Sequence, residues 1–231
     1  MMMTQNSDTL RHMATKKSQK PAVKQNSTSV MSKLKLVTAQ AAYPWILLIG
    51  GAIGLLAAVI LTVEKIHLLQ NPGASLGCDL NPIIACGSVI NTDQASAFGF
   101  PNPLIGIAGF FGLMVIGAAI LAGARLKRWF WLGLQAGTVF GISFATWLQF
   151  QSIANIGALC PFCMVVWSMM IPIFIYTTVY NIREGHIVGN GVYAKICEFI
   201  SRNHVDILIT WFLLIIATIT VKFWYYWSTL I

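Results

Sequence analysis

Five cysteines are the residues of this sequence best suited to chemistry, and four of them form two pairs. Cys78 and Cys86 are separated by seven residues, Cys160 and Cys163 form a C-x-x-C motif, and Cys197 stands apart. When two thiols close into a disulfide, they release two electrons. Two such cysteine pairs can exchange these electrons through a mixed disulfide. The spacing therefore predicts thiol–disulfide chemistry at these two pairs.

The C-x-x-C motif is predicted to open a helix. Pro161 suits the first helical turn, where its missing N–H removes no helical hydrogen bond. The partial positive charge at a helix N-terminus stabilises a thiolate and lowers the pKa of a cysteine there. A structural disulfide and half of a zinc site are the alternatives for this motif. For Cys78 and Cys86, whose spacing matches no standard zinc site, the alternative is a disulfide that staples a loop.

Long uncharged runs separate the pairs and predict the elements that position them. Only 10% of the 231 residues are charged, whereas a typical soluble domain has roughly 25%. Four runs reach the roughly 20 residues that a helix needs to cross a bilayer, and a fifth does so if it extends through Lys222. We predict an all-α membrane protein with five transmembrane helices, over residues 43–63, 103–124, 129–150, 156–180 and 207–221.

The basic residues are distributed as topology signals. The net charge is +8, and Lys or Arg occurs seven times before residue 43, three times in 125–128 and three times in 183–202. If each run crosses once, these regions share one side, which the positive-inside rule makes the cytoplasm. Both cysteine pairs then lie at the outer, oxidising face, and Cys197 lies on the reducing side. This pattern argues against nucleic-acid binding.

Three segments together resemble the vitamin K epoxide reductase family. They are CDLNPIIACGSVINT from Cys78, FPNPLIG from Phe100, and CPFC from Cys160. The resemblance is to the bacterial, actinobacterial-type branch and covers roughly residues 43–182. It implies that four of the five helices form a bundle around a quinone, capped by the outer loop between helices one and two.

The predicted organisation has four parts. Composition predicts a disordered, basic cytoplasmic arm over residues 1–40, because few apolar side chains are available to bury there. The family resemblance implies a four-helix catalytic core over 41–182. Next comes a cytoplasmic connection over 183–204. The last part is a fifth transmembrane helix with a short outer tail, over 205–231.

The resemblance also implies an ordered relay between the cysteines. Cys78 would meet an external thioredoxin-like protein, and Cys86 would exchange with Cys160. Cys163 would lie beside the quinone. No metal is expected in this arrangement.

Three further residues receive roles from the resemblance. Asn102 matches an asparagine that hydrogen-bonds a quinone carbonyl, and Thr92 matches a residue that anchors the loop near the active site. Trp167 stands where the vertebrate enzymes carry a tyrosine, so it offers an N–H but no hydroxyl. Asn102 could instead cap the second helix, and Thr92 could be an ordinary turn residue. Four aromatic residues are candidates for the lining of a quinone pocket, with plain packing in the bundle as the alternative: Phe140, Phe144, Trp147 and Trp167.

Together these expectations describe a multi-pass thiol–quinone oxidoreductase of the bacterial inner membrane. It would reoxidise a separate periplasmic or extracellular thioredoxin-fold (DsbA-like) thiol oxidase and reduce a quinone, menaquinone by the resemblance. The partner is expected to be separate because no thioredoxin-like domain follows before Ile231. One alternative is quinone or quinone-epoxide reduction as the main role. Another is a membrane structural or transport protein with stapling disulfides.

Overall fold

The computed structural model describes residues 23–187 and 191–228, with side chains described from residue 41 apart from those of Tyr226 and Trp227. Over these residues the backbone is helical, with one isolated parallel bridge and no strand. Two short elements, a 3₁₀ turn at Asp93–Ser96 and a π-helical turn at Gln151–Ile156, join the helices. The helices are α1 (Val23–Gln70), α2 (Cys86–Ile90), α3 (Pro103–Leu121), α4 (Arg128–Phe150), α5 (Pro161–Arg183), α6 (Val192–Arg202), α7 (His204–Lys222) and α8 (Trp224–Trp227).

Four of the described helices are long and apolar enough to cross a membrane: α1 over Ala41–Gln70, α3, α5 and α7. This confirms the all-helical class and fits a multi-pass membrane protein. The helix α4 has the same length as α5, 23 residues, but polar side chains such as Gln135, Thr138 and Gln149 lower its hydropathy. A fifth crossing, by α4, stays a prediction.

The first helix begins earlier than the predicted span. The chain divides into two units, Met1–Val37 and Thr38–Ile231, and the backbone is helical from Val23 onward. The predicted disordered arm over residues 1–40 lies outside the described residues up to residue 22, and its disorder stays a prediction. Between Val23 and Pro44 no glycine or proline interrupts the sequence, so nothing local stops the helix from extending backward.

Small residues bring α1 and α3 into close contact. A Cβ added at Gly51 would lie 2.8 Å from the backbone nitrogen of Met114, and one added at Gly117 would lie 2.6 Å from that of Leu48. Glycines permit this approach between membrane helices, where van der Waals packing rather than the hydrophobic effect holds helices together. These two helices thereby form one wall of the bundle.

The main hydrophobic core lies among α1, α3, α4 and α5. The helix α7 lies at the edge, with only 6% of its span buried, and packs partly buried apolar side chains against this core. The largest fully buried side chains of the core belong to α1 and α5 or follow α7: Tyr43, Leu47, Ile171, Ile173, Val179 and Phe223.

The chain changes direction between α4 and α5. After the π-helical turn Gln151–Ile156, Gly157 adopts a left-handed conformation with φ of 70°, which glycine adopts without steric cost. The backbone then runs extended to Cys160. The helical part of the predicted run 156–180 therefore begins only at Pro161, and Cys160 is placed directly before the helix.

Candidate active site

The C-x-x-C motif opens α5, as predicted. Cys160 is the N-cap residue, and its sulfur accepts a hydrogen bond from the backbone N–H of Cys163, with an N···S distance of 3.4 Å. The pKa of Cys160 is held below its usual value, chiefly by a hydrogen bond from the Cys163 thiol. The backbone N–H groups of Cys163 and Phe162 lower this pKa further, and burial opposes the shift. Cys160 is therefore the thiol of the pair that ionises more readily.

The loop cysteines are joined to each other. Cys78 and Cys86 form a disulfide with Cα atoms 5.7 Å apart. Cys86 is the first residue of α2 and is completely buried, and Cys78 is buried as well. Neither sulfur is thus freely exposed in this state of the protein.

A short parallel bridge sets the two pairs side by side. The N–H of Leu159 donates to the carbonyl of Ile83 at 2.7 Å, and the N–H of Ala85 donates to the carbonyl of Leu159 at 3.0 Å. Cys86 and Cys160 are the next residues of the two segments. Their sulfur atoms lie 3.6 Å apart in a buried contact, so a thiolate on one can reach the other.

A cavity lies on the inner side of the C-x-x-C motif. It has a volume of about 420 Å³, is mostly apolar, and is bounded by α1, α3, α4, α5 and the outer loop. Cys163 lies in its wall, as do Thr92, Asn102 and Trp167. The four cysteines therefore follow one another in the order Cys78, Cys86, Cys160, Cys163, with the cavity next to the last.

Asn102 holds the loop that covers this cavity. Its Nδ2 donates to the carbonyl of Gln94 at 2.7 Å, and its Oδ1 accepts from the N–H of Ala97 at 3.1 Å. The side chain makes no capping hydrogen bond to α3. Since an amide nitrogen carries two hydrogens, the bond to Gln94 uses one N–H of this buried side chain and leaves the other out of these contacts.

Thr92 and Lys65 both donate hydrogen bonds to backbone carbonyls at the end of α2. The hydroxyl of Thr92 donates to the carbonyl of Val89 at 2.8 Å, which is a local turn contact. The ammonium of Lys65, on α1, donates to the carbonyl of Ile90 at 2.9 Å. Lys65 thus ties the loop to the first helix, a role that its position at the end of an apolar run does not reveal.

Three of the four predicted pocket aromatics line the cavity, namely Phe140, Phe144 and Trp167. Trp147 does not. Trp147 is exposed and stacks on Phe144, with ring centroids 5.8 Å apart. Trp167 is buried, and no described residue accepts a hydrogen bond from its indole N–H.

Two other features of the described residues lack a cysteine pair. A larger groove of about 820 Å³ runs beside α7, but no cysteine lines it. Cys197 is buried on α6 without a second cysteine. Among the described residues no three His, Cys, Asp or Glu side chains cluster as metal ligands.

Fold and site together define a class: helical proteins with membrane-spanning apolar helices that carry two adjacent cysteine pairs beside an internal cavity. The sequence model of the Vitamin K epoxide reductase family matches residues 45–178, which is more than half of the chain. The chain belongs to this family, a family of membrane oxidoreductases. A search of curated proteins finds no match.

Proteins of this family use quinones, and the cavity fits such a group. Pockets of about 300–1,000 Å³ with mostly apolar walls and a few polar groups are typical of sites for small cofactors. Here Cys163, Asn102 and Trp167 lie in the wall of the cavity.

Proposed function

We propose that this protein is a thiol–quinone oxidoreductase. It takes two electrons from a thioredoxin-fold thiol oxidase at Cys78–Cys86 and passes them through Cys160–Cys163 to a quinone, which we propose is a menaquinone. The observation that carries this proposal is the 3.6 Å contact between the sulfur atoms of Cys86 and Cys160, because it joins two redox-active pairs directly.

The exchange between the pairs has two steps. The Cys86 thiolate attacks the sulfur of Cys160 in an oxidised Cys160–Cys163 pair, so the Cys86–Cys160 bond forms and Cys163 leaves as a thiolate. The Cys78 thiolate then attacks Cys86, which closes the Cys78–Cys86 disulfide and releases Cys160. Two electrons have moved, and the loop pair is oxidised, as the structure contains it.

The lowered pKa of Cys160 suits it to this second step. A thiol of low pKa leaves readily as a thiolate from a mixed disulfide, and Cys163 together with the first N–H groups of α5 holds the pKa of Cys160 below its usual value. The helix N-terminus thereby favours breakage of the Cys86–Cys160 bond once Cys78 attacks.

A bound quinone would supply an acceptor for two electrons and two protons. Cys163 would face it, and Asn102 and Trp167 would hold its carbonyl oxygens. Trp167 carries no hydroxyl, so nothing in the cavity wall at this position favours action on an epoxide. We therefore propose quinone reduction, coupled to oxidation of a protein thiol, as the activity.

We further propose that the cysteine pairs lie at the outer face of the bacterial inner membrane. The three basic residues of 125–128 lie where α3 ends and α4 begins. The two cysteine pairs lie beyond the opposite ends of these helices, one before α3 and one after α4. The positive-inside rule assigns such a connection to the cytoplasm. This orientation exposes the loop pair to periplasmic partners.

Purified protein in lipid nanodiscs tests the relay. With menaquinone and a reduced thioredoxin-fold oxidase, the wild type should reduce quinone, which is followed by loss of quinone absorbance. Cys163→Ala should abolish this signal with every thiol donor. Cys86→Ala should abolish it with the protein donor while a small dithiol still reacts at Cys160–Cys163. Wild-type turnover of Cys86→Ala with the protein donor would refute the relay.

The same assay separates a structural role. A protein with stapling disulfides would leave quinone absorbance unchanged with any dithiol, and its cysteines would stay in one oxidation state. Quinone reduction that proceeds with small dithiols but with no thioredoxin-fold protein would instead favour quinone reduction as the main role.

A further inference from the structure

One charged side chain contacts the backbone on both sides of the loop disulfide. Asp79 follows Cys78, and its Oδ2 accepts a hydrogen bond from the N–H of Leu76 at 3.1 Å. Its Oδ1 accepts one from the N–H of Gly87, directly after Cys86, at 2.9 Å. The carboxylate therefore connects the segment before the first loop cysteine to the segment after the second.

This contact does not depend on the sulfur–sulfur bond. When Cys78 and Cys86 are reduced, the covalent link between the two segments is lost, and the hydrogen bonds of Asp79 remain to hold them. Hydrogen bonds in which one partner is ionised are roughly twice as strong as neutral ones. The reduced loop is the form that must present Cys86 to Cys160.

The same carboxylate acts on the second pair through its charge. The titratable groups that act on Cys160 are Cys163, one turn into α5, and Asp79 from the loop. The negative charge of Asp79 raises the pKa of Cys160, against the larger lowering by Cys163. Lys65, the cation of the neighbouring α1, donates to the carbonyl of Ile90 instead.

We propose that Asp79 is a positioning residue of the relay: its carboxylate keeps the reduced loop closed so that Cys86 stays against Cys160. This role rests on the proposed exchange between the two pairs. It assigns to Asp79 no contact with a quinone and no direct part in bond breaking.

Cross-linking in a protein without the loop disulfide tests the positioning. In a Cys78→Ala, Cys163→Ala parent, only Cys86 and Cys160 of the four relay cysteines remain, and a diazene oxidant such as diamide can join them while it is itself reduced to the hydrazine. Adding Asp79→Asn should slow this coupling about tenfold, the effect of losing roughly one charge-assisted hydrogen bond. Adding Asp93→Asn, a matched change in the same loop, should leave the rate unchanged.

Glycine variants separate geometry from charge. A Cβ at Gly87 would lie 3.0 Å from Oδ2 of Asp79, whereas a Cβ at Gly77 would meet nothing within 4 Å. Gly87→Ala should therefore displace the carboxylate and slow coupling without removing charge. Gly77→Ala should couple at the parent rate.

The pH dependence of Cys160 alkylation, read by mass spectrometry in protein with all four relay cysteines reduced, isolates the charge. Because Asp79 raises the pKa of Cys160, Asp79→Asn should move half-maximal alkylation to lower pH, and Asp79→Glu should restore the wild-type midpoint. A merely structural role would not move this midpoint.

Two outcomes overturn the role. One is an Asp79→Asn variant that couples at the parent rate and shows the wild-type alkylation midpoint, while the parent itself couples normally. The other is a parent in which Cys86 and Cys160 do not couple at all, which contradicts the relay on which the role rests. The coupling rate of the Cys78→Ala, Cys163→Ala parent distinguishes these two outcomes.

Discussion

The two ends of α5 use polar side chains in opposite ways. At the N-terminal end, around Cys160 and Cys163, the polar groups hold the backbone of a loop and leave the sulfur atoms in contact with each other. At the C-terminal end, the polar side chains bond to one another between helices and surround no cavity with a reactive group. The difference separates residues that serve the reaction from residues that serve the bundle.

The C-terminal end holds buried hydrogen bonds between helices, while Oδ1 of Asn181 is buried there without a partner among the described residues. The hydroxyl of Tyr43 donates to Oγ1 of Thr177 at 3.2 Å, and Nδ2 of Asn181 donates to Oε1 of Gln135 at 3.0 Å and to the carbonyl of Trp131 at 3.3 Å. Thr177 and Asn181 are fully buried. Because such groups cannot bond to lipid, their partners within the bundle fix how α1, α4 and α5 meet.

The comparison predicts that changes at the N-terminal end of α5 and in the loop beside it reduce turnover more than they reduce stability. The largest effect is expected from Cys160→Ser, which removes the sulfur through which the second pair contacts the loop pair. Turnover should fall at least about 100-fold, in the range of losses seen when a nucleophile is removed, with both protein and small dithiol donors. Quinone absorbance measures the rate, and Cys197→Ser is the control that should keep it. Wild-type turnover of Cys160→Ser would contradict the assignment.

A smaller loss is expected from Asn102→Asp. The substitution keeps the shape but removes the N–H groups that bind the carbonyl of Gln94 and face the cavity. Leaving a buried carbonyl without its donor costs about 1–3 kcal/mol, so quinone turnover should fall about tenfold or more. Steady-state kinetics with varied quinone measures this. Asn71→Asp, at an exposed contact of the same loop, should change little, and equal losses in both variants would argue against a role at the cavity.

At the other end, Asn181→Leu should reduce stability and leave turnover per folded molecule unchanged. It removes the donor to Gln135 and Trp131, at a cost of about 1–3 kcal/mol for buried polar groups left unpaired. Thermal unfolding in nanodiscs measures the change. An Asn181→Leu variant with wild-type stability but slow quinone reduction would contradict the assignment of the C-terminal end of α5 to stability.

The smallest effect is expected from Tyr43→Phe. It deletes one interhelical hydrogen bond, to Thr177, and such bonds in membrane proteins average about 0.6 kcal/mol. Unfolding should shift slightly, with no change in turnover. Tyr225→Phe, at an exposed position after α7, serves as the matched control and should show no shift at all.

Parts of this arrangement follow from local sequence. A C-x-x-C motif with Pro161 in first place predicts a helix start, because both proline and the thiolate suit a helix N-terminus. The apolar runs predict the helices because their length matches the bilayer. The start of α1 at Val23 does not follow in the same way, since composition alone does not show how far a helix extends beyond its apolar part.

The contact between the pairs depends on tertiary structure. Leu159 bonds to the segment of Ile83 and Ala85 across more than seventy residues, and no local pattern encodes that partner. The same holds for Asp79, since an acidic residue in an outer loop is ordinarily solvated. Its position next to Cys78 was the available signal, but only the fold shows that both oxygens bind the backbone.

The cysteine spacing has a consequence for biosynthesis. The loop partners are 8 residues apart, whereas Cys86 and Cys160 are 74 apart. During synthesis, which proceeds from the N-terminus at about 5–20 residues per second, the loop can emerge and close its own bridge before α5 exists. The loop pair can thus form its disulfide before Cys160 and Cys163 are synthesised, so Cys78 and Cys86 can already be bonded to each other when the second pair appears.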